Sequence, residues 1–123
     1  MRLQRQIQKP VHETFNDGFL SYGHNVVLRN STGKRTGESF TEKGKLAFKL
    51  VSVRDQDYEL AGSMNASLDL KVKTPFPPSF RNVTRSNLKC VSENVLYDVI
   101  KVDWDSNKRY LYFYLQKVGV LDE

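Results

Sequence analysis

Residues 67–74 read SLDLKVKT. Leu68, Leu70 and Val72 alternate with Asp69, Lys71 and Lys73, and a period of two places each set on one face of an extended strand. PFPP at 75–78 ends the strand, because proline has no N–H to give to a ladder. The clearest segment of the chain is therefore a half-buried strand, and its neighbours extend the pattern.

Toward the N-terminus, Leu46, Phe48 and Leu50 alternate with Ala47 and Lys49, which predicts a second half-buried strand from Lys45. Residues 54–62, RDQDYELAG, read as a short helix with Ser52 or Asp55 as its cap and with Tyr58, Ala61 and Leu60 or Met64 near one face. So short a helix must dock on the sheet. Its Asp55, Asp57 and Glu59 read as an acidic first turn favoured by the helix dipole, not as a catalytic cluster.

Toward the C-terminus, residues 79–87 read as polar loop and 88–92 as a short strand. Glu93-Asn94 is a two-residue turn, and 95–104 and 110–118 flank DSNKR as a hairpin. YLYFYLQKV at 110–118 is bulky on both faces. It is predicted to be covered by the core on one side and by the helix or a neighbouring subunit on the other. Tyr110, Tyr112 and Tyr114 share a face and, with Tyr58, are read as interface residues. Following Lys108 and Arg109, the same tyrosines could instead stack bases in an oligonucleotide-binding type of barrel that takes single strands. Leu111 and Tyr112 stand where the RNA-recognition pattern wants small residues.

Residues 14–28 look strand-like after the Asn16-Asp17-Gly18 turn signal, with Gly23 as a bulge. Then comes RNSTGKRTGESFTEKGK, residues 29–45, with three glycines, five basic and two acidic residues, and Phe40 as its one large apolar residue. It is expected to be a long mobile loop. Lys34, Arg35, Lys43 and Lys45 are its candidate contacts to a polyanion or an acidic partner, and Phe40 its anchor on a neighbour. Replacing 31–43 by a short linker should leave the fold intact, because closure entropy grows slowly with loop length.

The whole chain, 123 residues with a formal net charge of +5, is expected to be one domain: a basic arm (1–13), a β-rich core (14–118) and a tail (119–123). The first nine residues and the 29–45 stretch each carry three excess positive charges, so the remainder is near neutral. That placement suits contact with a polyanion through arms and loops. No run is apolar enough for a membrane span, and MRLQRQIQKPVHE lacks the apolar centre of a secretory signal. Cys90 is the only cysteine; it excludes an internal disulfide, suits a reducing compartment and reads as a buried inert thiol.

Residues for chemistry are not grouped. His12 and His24 have no partner at metal-ligand spacing. DWDSN at 103–107 begins like a calcium loop, but Lys108 stands where glycine is needed and Tyr114 where a bidentate glutamate is needed. No phosphate-binding glycine loop or nucleophile motif occurs. The expectation is a protein with no catalytic residues, metal or cofactor.

Several segments in order resemble a known family: FNDGFLSYG at 15–23, GKLAF at 44–48, the acidic helix with Asp57, Tyr58, Glu59 and Ala61, LDLKVK at 68–73, VLYDVIKVD at 95–103 and RYLYFYL at 109–115. Together they are similar to the head–tail joining proteins of long-tailed bacteriophages, also called head-closure, stopper or head–tail adaptor proteins. The resemblance implies a small mainly-β, barrel-like or sandwich-like subunit with one short helix and a long loop. It implies a homo-oligomeric ring at the head–tail junction of a virion, assembled in the host bacterial cytoplasm. Such a ring closes the exit channel on the packaged double-stranded DNA. It meets a portal or adaptor protein on the head side and a tail-terminator or tail-tube protein on the other. A tail-terminator ring subunit is the near alternative, and no membrane contact is implied.

Overall fold

The computed structural model describes residues 14–120; the expected basic arm (1–13) and residues 121–123 of the expected tail lie outside the described residues. Six strands run through the described part: β1 (Gly18–Arg29), β2 (Arg35–Leu50), β3 (Leu70–Pro75), β4 (Lys89–Ser92), β5 (Val95–Trp104) and β6 (Tyr110–Val120). They close a barrel in the order β1-β2-β3-β6-β5-β4, with every ladder antiparallel. One helix, α1 (Asp55–Ser63), lies between β2 and β3. The mainly-β barrel with a single short helix is thus as the sequence predicts. Gly119 and Val120, expected in a tail, complete β6.

Turn chemistry sets the hairpins. Glu93 and Asn94 take φ of 50° and 63°, the left-handed pair whose twist matches the flanking strands. In the 105–109 turn, Asp105 accepts the N–H groups of Arg109 at 2.7 Å and Tyr110 at 3.0 Å. Desolvation works against the charge on Asp105, but these bonds outweigh it and hold the carboxyl below its ordinary pKa. This aspartate of the calcium-like stretch serves as a turn clamp.

Alternation fills the barrel from within. Leu20, Tyr22, Phe48, Val72, Leu111, Phe113 and Leu115 point inward and are buried. The residues expected as polar loop, 79–87, contribute the plug. A 3₁₀ turn at Pro78–Asn82 drives Phe80 into the core, where it is fully buried. The rings of Tyr22, Phe76 and Phe113 meet it nearly edge-on at 5.3, 6.0 and 5.9 Å. Polar neighbours on both sides hid this residue in the sequence.

Cys90 is also fully buried, and burial pushes its thiol well above the ordinary pKa. The folded protein should therefore resist a thiol reagent such as Ellman's, with labelling appearing only as the chain unfolds. Rapid labelling without unfolding would contradict this packing.

The helix covers the outside. Neither Ser52 nor Asp55 caps it. Arg54 is the N-cap residue, and the Asp57 carboxylate accepts its N–H at 3.0 Å. Ala61 of α1 packs with Leu68 and Tyr114, flanked by Val53, Ala66, Ile100 and Tyr112. Leu68 was expected beside Leu70 and Val72. It precedes β3 instead, and packs outside under α1. Ile100 belongs to the irregularity between Val99 and Lys101 in the β5–β6 ladder, and it joins the cluster under the helix. Residues 111–115 of β6 are thereby covered on both faces, as their bulk predicts, while its end beyond Gln116 is largely exposed.

The 29–45 stretch is not a long loop. Only residues 30–34 turn, and Arg35 onward is β2, paired with β1 from Arg29–Arg35 to Gly18–Phe48. The misreading came from the glycines: Gly33 lies in the short turn and Gly37 in open space, but Gly44, like Gly23 on β1, marks a close approach within the sheet. A Cβ on Gly44 would lie 2.3 Å from the Tyr22 hydroxyl oxygen, its cross-strand partner, and one on Gly23 would lie 1.9 Å from the Thr41 carbonyl oxygen. Thr36, Phe40 and Thr41 supply the strand preference between them.

Candidate functional site

The outer half of the β1–β2 hairpin leaves the barrel. In the ladders β1 pairs with β4 only at Ser21, Tyr22 and Gly23, and β2 with β3 only at Lys49 and Leu50. Beyond Gly23 the two strands pair only with each other, as a ribbon extending about 20 Å at the ordinary strand rise. A register shift between Tyr22 and Gly23, with Lys43 as the extra residue, marks the departure. His24 Nε2 lies 2.7 Å from the Thr84 carbonyl oxygen at the same root, a structural contact for a histidine read as a strand residue.

Polar bonds stitch the ribbon. Ser21 donates to Glu42, Asn25 to Glu38 at 3.3 Å, and Arg35 pairs with Glu38 at 2.6 Å. At the tip, Asn30 Oδ1 accepts N–H from Thr32 and Lys34 at 3.0 and 2.9 Å and the Thr32 hydroxyl at 2.7 Å. Gly33 at φ 84° closes the turn. Val26, Val27 and Leu28 stay exposed, with Phe40 half-buried opposite Asn25.

The basic residues expected to act together are spread along this ribbon. Lys34 and Arg35 occupy the tip, Lys43 the bulge at the root, and Lys45 the barrel wall, where its ammonium lies 5.3 Å from the Phe19 ring centroid. Tip and wall are roughly 30 Å apart along β2 at the ordinary rise. The four residues are two separate pairs along the strand.

The tyrosines form a second surface. Leu111, Phe113 and Leu115 point inward, so Tyr110, Tyr112 and Tyr114 point out. Across the ladder they face Pro75, Lys73 and Lys71. Lys73 Nζ lies 4.0 Å over Tyr110 and 5.6 Å over Tyr112, and Lys71 Nζ 4.9 Å over Tyr114. Lys101 Nζ lies 5.8 Å from the Tyr114 centroid. Tyr114 is only 7% exposed. Tyr58 stands apart, 53% exposed on α1.

Lys71 is the residue the sequence reading missed. It is 4% exposed, although its place on the polar face of SLDLKVKT reads as solvent-facing. α1 covers it, and its ammonium meets Asp57 Oδ2 at 3.0 Å. Burial works against the charge on Asp57, but the Arg54 N–H and Lys71 hold the carboxyl below its ordinary value of 3.8. The available signal was an acidic residue near the helix start together with lysines opposite tyrosines, and nothing local joins the two. Beside this pair a groove of about 560 Å³ opens, lined by Lys49, Arg54, Lys71, Lys73, Asp103 and Tyr112 among others.

Among the described residues no group of His, Cys, Asp and Glu is placed to hold a metal ion, and no helix is long and apolar enough to cross a membrane. No protein-family model and no curated protein matches the chain. Among solved structures, it is similar to a chain from the virion of a native gene transfer agent particle. The two are 14% identical, the match covers 83% of this chain and 94% of that one, and the TM-score is 0.48.

Proposed function

We propose that the chain is a structural virion protein without catalytic activity: a ring-forming head–tail connector subunit. It closes the DNA exit channel below the portal and offers the tail its attachment surface. The order of segments that resembles the head–tail joining proteins supports this reading. The observation that carries it is the ribbon. An isolated two-stranded ribbon is marginal in water, yet this one extends from a filled barrel with Val26, Val27 and Leu28 exposed and Lys34 and Arg35 at its tip. Such a ribbon is suited to being held from outside its own barrel. In a ring of identical copies related by rotation, each ribbon lies against a neighbour, with Phe40 as its anchor. The tips then form a multivalent basic ring around a polyanion, stronger than any single pair of charges.

The single-strand-binding reading loses ground on the same geometry. Tyr114 is buried, and Lys73 lies over Tyr110 and within 5.6 Å of Tyr112. Bases have no open ring platform there.

The test trims the ribbon. An Asn-Gly turn joining Val26 to Ser39, which face each other across the ladder, removes the tip and leaves every contact to β3 and β4 in place. The trimmed protein should keep its circular dichroism spectrum. Particles carrying it should show, by electron microscopy, filled heads that lose their DNA and carry no tails. Unchanged DNA retention would remove the closing role. Heads that keep DNA beside tails of irregular length would favour the tail-terminator reading.

A further inference from the structure

No aspartate or glutamate occurs between Asp69 and Glu93. Within that span RNVTRSN, residues 81–87, follows the Phe80 plug across the end of the barrel from which the ribbon departs, and it is largely exposed. A cleft of about 480 Å³ between this segment and the ribbon root is lined by His24, Lys43, Asn82 and Thr84 among others. On the other side the Arg85 guanidinium lies 4.0 Å over the Trp104 ring. Trp104 leads into the 105–109 turn, where Lys108 and Arg109 are exposed. The Arg109 carbonyl oxygen accepts the N–H of Phe76 at 2.9 Å, just before the 3₁₀ turn that carries Arg81. Lys43, Arg81, Arg85, Lys108 and Arg109 therefore border one end of the barrel.

These charges have little to meet inside the molecule. Among the described residues Lys43, Arg81, Arg85 and Lys108 have no carboxylate within 4.0 Å. Arg109 reaches Asp105 only at 4.0 Å, with 67% of its side chain exposed. The nearby acids are engaged elsewhere. Asp105 accepts two turn N–H groups, Glu38 and Glu42 bond to Arg35 and Ser21, and Asp103 faces Tyr112 and Lys101 on the outer wall. Stacking on Trp104 holds the Arg85 guanidinium by its face and leaves its N–H edge open. An edge held in this way loses little further freedom on binding.

We propose that this end of the barrel binds the phosphate backbone of double-stranded DNA, with Arg81 and Arg85 as the central contacts and Lys43, Lys108 and Arg109 beside them. The arginine fork matches two phosphate oxygens at once. The cations come from separate loops around a rim, which suits a broad rod that carries a charge about every 1.7 Å of its axis. Single strands fit less well, because Arg85 covers the Trp104 face on which a base would stack. The proposal shares its ligand with the connector reading, but it rests on this end of the barrel and holds whether or not the copies form a ring.

The experiment uses the full chain and fluorescence anisotropy over a salt series that starts low. The labelled probes are two DNA duplexes of unrelated sequence, an oligothymidylate and a polyglutamate of equal charge. The duplexes should bind best and equally well. Arg81→Gln combined with Arg85→Gln, verified as folded by circular dichroism, should weaken duplex binding at least about tenfold and flatten its salt slope by about two. Lys101→Gln with Lys117→Gln removes the same charge from the outer wall and should change both far less. Failure of the folded wild type to bind duplex at low salt would overturn the proposal, as would equal weakening by the two double variants. Tighter binding of oligothymidylate or of polyglutamate would overturn it in favour of that ligand. The chain with its ribbon trimmed should keep most of the duplex binding. If trimming alone abolished it, the contact would belong to the ribbon tip, and this proposal would fall while the connector reading stood.

Discussion

Lys71→Ala should destabilise the protein by about 3 kcal/mol in urea unfolding. The substitution leaves Asp57 charged beneath α1 without its cation, and an uncompensated, largely buried charge is the costly half of a broken pair. The pair borders a groove open to water, so the lower end of that range applies. The lysine stem and its ammonium over Tyr114 at 4.9 Å are lost as well. Lys71→Met combined with Asp57→Asn is the discriminating variant. It removes both charges but keeps a side-chain acceptor for the Arg54 N–H, and it should recover stability to within about 1 kcal/mol of wild type. If the double variant were as unstable as Lys71→Ala, the loss would come from packing alone. The acid limb follows with a definite sign. The folded-state pKa of Asp57 is depressed, so its contribution is present above the ordinary value of 3.8 and is lost as pH falls through the folded value. The double variant should lose less stability than wild type over that interval.

Gly23→Ala should cost at least about 3 kcal/mol, the upper end for overpacking. The added methyl would sit 1.9 Å from the Thr41 carbonyl oxygen, 2.9 Å from its carbonyl carbon and 3.1 Å from the Lys43 nitrogen. All three are backbone atoms, so no side-chain rotation relieves the contact. β1 and β2 must separate at the bulge, at one of the three residues that pair β1 with β4. Gly62→Ala is the control: nothing lies within 4 Å of its new methyl in α1, and it should stabilise the helix by about 0.5–1 kcal/mol. If Gly23→Ala unfolded at the wild-type midpoint, the close approach of the two strands would be wrong.

Local pattern carried the barrel wall and failed where distant pieces meet. Alternation in 70–73 and 45–50, the Glu93-Asn94 turn and the two-sided bulk of β6 were legible, because each depends on neighbours within one or two strands. The ribbon was not. Gly44 carries the same letter whether it breaks a strand or makes room for a cross-strand ring. Only the position of Tyr22, far away in the chain, decides between those meanings. Phe80 was hidden for a related reason, since one aromatic in a polar stretch has no period. The candidate surfaces split the same way. The tyrosine face was read correctly as a face, whereas the buried state of Lys71 depends on where α1 docks. The basic set on 29–45 divided because a strand separates residues that a loop would have let converge.

β6 lies between β3 and β5 and holds ladders of six and nine residue pairs to them. It is also the last of these six strands to be synthesised. β3, made much earlier, has only the two-residue ladder to β2 until β6 arrives. β1 waits in the same way for β4. The hairpin of β1 and β2 can form during synthesis, but the closed wall cannot. The fold is therefore completed after translation of Tyr110–Val120, in a slow step governed by contacts distant in sequence. Until then the nascent chain carries strand edges that the finished barrel conceals, and a truncation within β6 would leave β3 and β5 with no common partner.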